Sequence, residues 1–312
     1  RKMKTLLKTI PIPINGLMLG LVSLANLFFA LYLEFFGFLF FSLGFVLFLL
    51  MLFKIAFTFL DVINDIKNPI IASVAPTFSM GMMVICSVLA GPFSLPGIAT
   101  IGWRIAACVH FTLVIYFIYT FIWKNKFELH SIYPSWFIVF VGIGVIPITS
   151  GNEESTVVHL LFWLGFIFYL ILLPIVSLRL KYIEEPARPL LTIIAAPGSL
   201  CLTAYLVYFT QHDVNLVVFL LVLSQLMYAF VLFKLPTLLK LPFFPSYAAF
   251  TFPLVISATA MNASAHFFDS IPALKVLTVI ELLIATCIVS YVFVRYVLFI
   301  IERVHARKAN GV

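Results

Sequence analysis

Charge is what this 312-residue chain has least of: Asp, Glu, Lys and Arg make up 10% of it, against about 25% in soluble globular domains. With 63% of its residues apolar it has too few water-seeking groups to clothe a soluble surface, which excludes a soluble domain and leaves a bilayer as its solvent. Cysteine is sparse as well. Cys86, Cys108, Cys201 and Cys287 all fall inside apolar runs with no C-x-x-C pair, which argues against a disulfide framework or a thiolate metal site. Phosphate loops, nucleophile elbows and H-E-x-x-H motifs are missing, as are His or Cys pairs at metal-ligand spacing. The chain therefore reads as a non-enzyme that needs no cofactor. Basic segments longer than a few residues are lacking too, so nucleic acid is not an expected partner.

What the sequence does hold is ten apolar stretches of membrane-spanning length, near residues 12–33, 37–60, 69–90, 101–123, 133–151, 155–178, 187–208, 214–233, 244–265 and 272–300. They are continuously apolar rather than alternating, which favours helices over barrel strands. The first run is too long for the apolar core of a signal peptide and leads straight into a second span, so it reads as a helix. Turn residues separate the stretches in pairs, giving one transmembrane domain over 1–312 made of five helical hairpins.

Orientation follows from the basic residues. With a cytoplasmic N-terminus, sixteen of the nineteen lie in cytoplasmic segments, Arg104 and Lys275 lie outside, and Arg295 sits within the last helix. This positive-inside bias places both termini in the cytoplasm of a plasma-membrane protein. The net charge of +7 then belongs mostly to one face, where it meets anionic lipid headgroups or forms a vestibule that concentrates anions.

Proline divides the helices into two classes. Pro76, Pro147, Pro197 and Pro253 sit inside the third, fifth, seventh and ninth stretches, while the even stretches lack a central proline. Three odd stretches repeat a pattern, PIIASVAPTF from Pro69, PLLTIIAAPGSL from Pro189 and PSYAAFTFPLVIS from Pro245. The first stretch carries Gly16 and Gly20 instead. Broken backbone is tolerated in a membrane only where protein shields it or water reaches it. Kinked odd helices are therefore expected inside, lining a central pore, with the even helices outside. The odd cores hold no Asp, Glu, Lys or Arg; the ionisable residues within spans, Glu281, Arg104, Arg295 and His110, lie on even helices, with Arg104 and Arg295 near helix ends where they can snorkel. In the ninth stretch Phe252, Thr259, Asn262 and His266 share one helical stripe among small residues. Spacing alone leaves both a pore wall and close helix packing open.

The ten-helix plan, the N-terminal PIPINGLMLGL, the seventh-helix AAPGSLCLTAYL and the ninth-helix AAFTFPLVISATAMNASA resemble the tellurite-resistance/dicarboxylate transporter family. The likeness is strongest to its bacterial TehA-like members; plant slow anion channels and yeast malate and sulfite transporters belong to the same family. The resemblance covers essentially the whole chain. It implies a homotrimer with a pore in each subunit, lined by the five odd helices, and a phenylalanine just before the ninth-helix kink that closes it. The matching residue is Phe252. Gly16, Gly20, Pro76, Pro147 and Pro197 match the kink regions by helix, with Pro253 following the gate. The expected activity is passive conduction of small monovalent anions, stabilised by the cytoplasmic field, by hydroxyls such as Thr77, Ser79, Thr149, Ser199 and Thr259, and by amides at half-helix starts. A carrier or exporter of dicarboxylate, sulfite or tellurium oxyanions is the alternative. Inorganic or small organic anions and membrane lipid are the expected partners.

Overall fold

A computed structural model of the chain describes residues 2–125, 128–151 and 155–309; Asn152, Glu153 and Glu154 of one expected loop lie outside them. Every regular element among the described residues is helical. In chain order these are α1 (Lys2–Thr9), α2 (Ile14–Ala30), α3 (Glu34–Phe57), α4 (Phe59–Asp65), α5 (Pro69–Val74), α6 (Thr77–Ala90), α7 (Pro96–Phe117), α8 (Trp136–Phe140), α9 (Val145–Thr149), α10 (Thr156–Arg179), α11 (Ala196–Tyr208), α12 (Val214–Leu238), α13 (Phe252–Phe267) and α14 (Pro272–Ala309). Tight 3-10 runs, Glu185–Ala195 and Pro245–Phe250, lead into α11 and α13.

Eight segments among the described residues are long and apolar enough to cross a membrane. The other two expected stretches take different forms. Residues 12–33 give the 17-residue α2. Residues 133–151 give only the five-residue α8 and α9, joined by a 3-10 turn at Gly142–Gly144.

Burial sorts the long segments into two classes. Pro69–Ala90, Glu185–Tyr208 and Pro245–Phe267 are 78%, 83% and 78% buried, whereas Pro96–Lys124 and Val214–Leu238 are 17% and 28% buried. The proline-broken segments are thus inside and the unbroken ones outside, as broken backbone in a bilayer requires. Contacts close the inner set into a ring: α2 packs on α6, α6 on α9, α9 on α11, α11 on α13, and α13 back on α2. Each inner helix is backed by the outer helix that follows it, α3 on α2, α7 on α6, α10 on α9, α12 on α11 and α14 on α13.

The inner prolines start helices more often than they bend them. Pro76 is the N-cap residue of α6, while Pro197 and Pro253 lie in the first turns of α11 and α13, where a missing amide hydrogen costs nothing. Pro147 sits within the short α9. The two glycines of α2 do not break it. A Cβ on Gly16 would lie 3.2 Å from the Ala248 Cβ, and one on Gly20 would lie 2.6 Å from the Thr251 Oγ1. These glycines let α2 approach the start of α13 rather than kink.

Outside the ring, some of the charged residues find local partners. Lys54, expected on the cytoplasmic side, lies in the last turn of α3 and is buried, donating to the Leu7 carbonyl at 3.3 Å with Asp65 at 3.9 Å. Arg295 lies against the rings of Phe243, Tyr247 and Tyr291. Between α13 and α14 the Lys275 ammonium donates to Asp269 at 2.6 Å and holds that carboxyl below the usual carboxylate range.

Candidate functional site: a cavity inside the helix ring

The inner ring encloses a cavity of about 50 Å³, room for about four water-sized spheres. Its wall comes from all five inner segments and from none of the outer helices: Pro13 and Gly16 from the first, Thr77 and Met80 from the third, Phe137 and Gly142 from the fifth, Pro197 and Leu200 from the seventh, Phe252 and Pro253 from the ninth. The lining is mainly apolar and contains no charged residue.

Why the segments break here follows from their sequences. A proline in the first turn forces the preceding chain into a separate short helix, so α6, α11 and α13 all begin at this depth, as α2 does after Pro13. First-turn residues of all four face the cavity. A helix N-terminus carries roughly +0.5 of an elementary charge, and the short runs before α6, α11 and α13 end at the same depth with the opposite partial charge, so the cavity meets helix dipoles of both signs and no basic side chain.

The hydroxyls near the breaks point mostly at the backbone. Thr77 donates to the Val74 carbonyl at 2.6 Å, Ser79 to Pro76 at 2.9 Å, Thr149 to Val145 at 2.7 Å and Thr259 to Val255 at 2.9 Å. Each of these protons goes to a carbonyl three or four residues back on its own chain segment. Ser199 differs: its hydroxyl is fully buried with no hydrogen-bond partner among the described residues.

Of the residues singled out from sequence, Gly16, Thr77, Pro197, Phe252 and Pro253 line the cavity. Gly20, Pro76, Ser79, Pro147, Thr149, Ser199, Thr259 and Asn262 are not in its wall. Gly20 touches the first turn of α13, and Thr149 accepts from the Trp103 indole at 2.8 Å in a separate hollow near Cys86. Sequence reasoning missed Met80, Phe137, Gly142 and Ser246. The VGIGV run carried a signal for Gly142, since two glycines spaced by one residue weaken a helix.

Phe252 is 8% exposed. The chain holds 35 phenylalanines, and composition cannot distinguish one. The cavity wall narrows the choice to Phe137 and Phe252. Phe137 packs against the Tyr169 ring at 6.2 Å, whereas no ring pair among the described residues includes Phe252. Toward the end where the basic residues gather, the cavity shares Pro13 and Ser246 with a hollow of about 380 Å³. That vestibule holds Lys8 and Arg303 but also Asp65 and Glu184, so its mouth carries both signs of charge.

The ionisable residues of the outer helices lie behind this wall. Glu281 is 2% exposed on α14, with Ser257 of α13 and Gln225 of α12 facing its carboxyl. His110 is fully buried on α7, its Nδ1 2.9 Å from the Ser79 hydroxyl.

No curated protein matches the chain. The model of one protein family, voltage-dependent anion channel (SLAC1), matches residues 10–297, a stretch that runs from the residues before α2 into α14 and so takes in all five inner segments and all of the outer helices but the end of α14. The ring of broken helices, its apolar outer shell and this match together show that the chain is an integral membrane protein belonging to the voltage-dependent anion channel family.

Proposed function

We propose that the protein is an anion channel whose pore runs through the central cavity and is closed by Phe252. Ten membrane-crossing segments, paired as five hairpins, would build it, with the short α8 and α9 completing the fifth inner crossing. The observation that carries the reading is a cavity walled only by the five inner segments, entered by four helix N-termini and by the Phe252 ring.

Its size favours small monovalent anions. A space for about four waters cannot take an anion with a complete hydration shell, so the ion must shed water to enter. The N-terminal dipoles replace part of that shell without a fixed cation that would bind too tightly for throughput. The apolar wall offers no basic partner for a second negative charge, which places dicarboxylates outside the preferred substrates. The basic end of the bundle faces the cytoplasm of the plasma membrane in this reading, with both termini on that side. The assembly is a homotrimer with one pore per subunit, an expectation of the family resemblance; native mass spectrometry in detergent would return a threefold mass, and a monomer would refute it.

The test is anion current across a planar bilayer for the wild type and Phe252→Ala. Removing the ring takes a bulky side chain out of the cavity wall, so current should rise by about tenfold or more, at unchanged gel-filtration behaviour. An unchanged current from well-folded Phe252→Ala protein would remove Phe252 from the gate. Silence in both, with saturable counterflow in liposomes, would make the protein a carrier.

A further inference from the structure

We propose that a hollow between the ends of α10 and α12 is a binding site for an anionic phospholipid, with the headgroup phosphate on Lys181 and Lys234 and an acyl chain along the apolar wall beneath them. The site lies outside the helix ring and does not depend on what the cavity conducts.

The hollow measures about 540 Å³. One side is α12, with Met227, Phe230 and Lys234; the other is the end of α10 and the turn Leu180–Tyr182, with Lys181. Leu191 and Ile194 of the 3-10 run Glu185–Ala195 are buried at its floor.

Charge selects an anion. The charged residues of the lining are the two lysines, both exposed, and no acid accompanies them. Each ammonium rests over a ring, that of Lys181 4.9 Å from the Tyr182 centroid and that of Lys234 5.5 Å from the Phe233 centroid. Neither forms an ion pair among the described residues. A ring contact leaves ammonium protons free to donate, so two cations at one mouth stand ready for a phosphate.

Depth selects a lipid over a free anion. Met227, Phe230 and Lys234 recur at helical spacing on one face of α12, with the lysine last. About 10 Å of apolar wall therefore runs inward from the ammonium, a surface that a phosphate ion leaves unused and an acyl chain covers. Leu178 also lines the hollow and is 74% exposed, so the groove opens sideways from the bundle. Glu184 and Pro186, just beyond the Leu180–Tyr182 turn, belong to the vestibule wall, which puts the hollow at the basic end of the molecule. A basic pocket between helices at the cytoplasmic side suits an anionic headgroup.

The lipid would lie close to the cavity. A 3-10 run has three residues per turn and presents separate rows: Leu191 and Ile194 face the hollow, while Leu190 and Ile193 face the cavity. One run of backbone separates the two spaces.

The test is native mass spectrometry in a neutral detergent with added phosphatidylglycerol, comparing wild type with Lys181→Gln/Lys234→Gln. Both side chains are exposed, so the variant should fold. Wild type should retain phosphatidylglycerol in preference to phosphatidylcholine, and the variant should bind it about thirtyfold more weakly, about fivefold for each lysine. Lys67→Gln/Lys124→Gln removes the same charge from exposed positions outside the hollow and should leave the affinity unchanged. An equal loss in that control, or wild-type affinity in Lys181→Gln/Lys234→Gln, would overturn the site. Displacement of the lipid by excess inorganic phosphate would overturn the lipid reading and leave a free-anion site. Loss of subunits from the Lys181→Gln/Lys234→Gln assembly in the same spectra would assign the hollow to contact with a second copy of the chain and overturn the proposal.

Discussion

Thr251 shows how one hydroxyl serves two helices. Its Oγ1 lies 2.7 Å from the Ala248 carbonyl and 3.0 Å from the Gly16 carbonyl of α2, so it caps the 3-10 run before Phe252 and ties it to the neighbouring inner helix. Thr259, two turns further along α13, only bonds its own helix at Val255. Thr251→Val keeps the side-chain shape and should cost about 1 kcal/mol, whereas Thr259→Val should cost a few tenths. Thermal unfolding of both variants in detergent separates the cases, and equal losses would contradict a tie between α2 and α13. The sequence places hydroxyls near every break, and their types read as donors to an anion. It does not reveal that Thr77, Ser79, Thr149 and Thr259 face their own backbone, because a threonine or serine bonds the carbonyl three or four residues back without leaving a mark in spacing. Phe252 was legible through family resemblance alone; its place in the wall depends on a break that only the fold positions.

At the scale of elements, the alternation of broken inner and intact outer helices was readable because lipid enforces it: proline is tolerated where protein covers the backbone. The long helices start and stop near the expected positions, as with 69–90 observed as Pro69–Ala90 and 155–178 as Thr156–Arg179. Less was legible where apolar content and backbone geometry part company. The stretch at 133–151 is apolar enough to look like a helix, yet Gly142, Gly144 and Pro147 leave it in short pieces. α1 and α4 were expected as loops; α1 is held by Lys8 to Asp61 at 3.1 Å. The glycines of α2 were expected at a kink and instead serve an approach. This gives a prediction for the α2 and α13 pair. A methyl on Gly20 would stand 2.7 Å from Thr251 Cβ and 3.2 Å from the Phe252 amide. Neither is the loose end of a flexible side chain, so Gly20→Ala must push the start of α13 outward, at about 1–3 kcal/mol. The variant should melt earlier and pass more current than the wild type. A melting temperature equal to wild type would show that the helices have slack at this contact.

For the whole molecule, the distribution of charge decides what should pass. Basic residues gather at one end of the bundle, acids accompany them at the vestibule, and the cavity itself has neither. Long-range attraction can therefore raise the local concentration of anions near the mouth, but it cannot replace the water an ion loses within the ring. In the proposed pore the N-termini of four helices would offset part of that loss, each with a partial charge of roughly half a unit, against the carbonyl ends of the short runs before them. Partial compensation of this kind makes hydration the selecting quantity: the anion that holds its water least firmly enters most easily. Nitrate should be more permeant than chloride, and malate, with two charges and a larger body, should be nearly excluded. Reversal potentials under bi-ionic conditions in the Phe252→Ala background measure this order directly. Added salt should lower the current at a fixed low anion concentration by screening the mouth, while leaving the nitrate-to-chloride ratio unchanged, because the cavity lies beyond the reach of bulk counter-ions. If malate instead led the series, a fixed cationic partner would have to exist in the ring, and the uncharged wall around Phe252 could not be the selecting element.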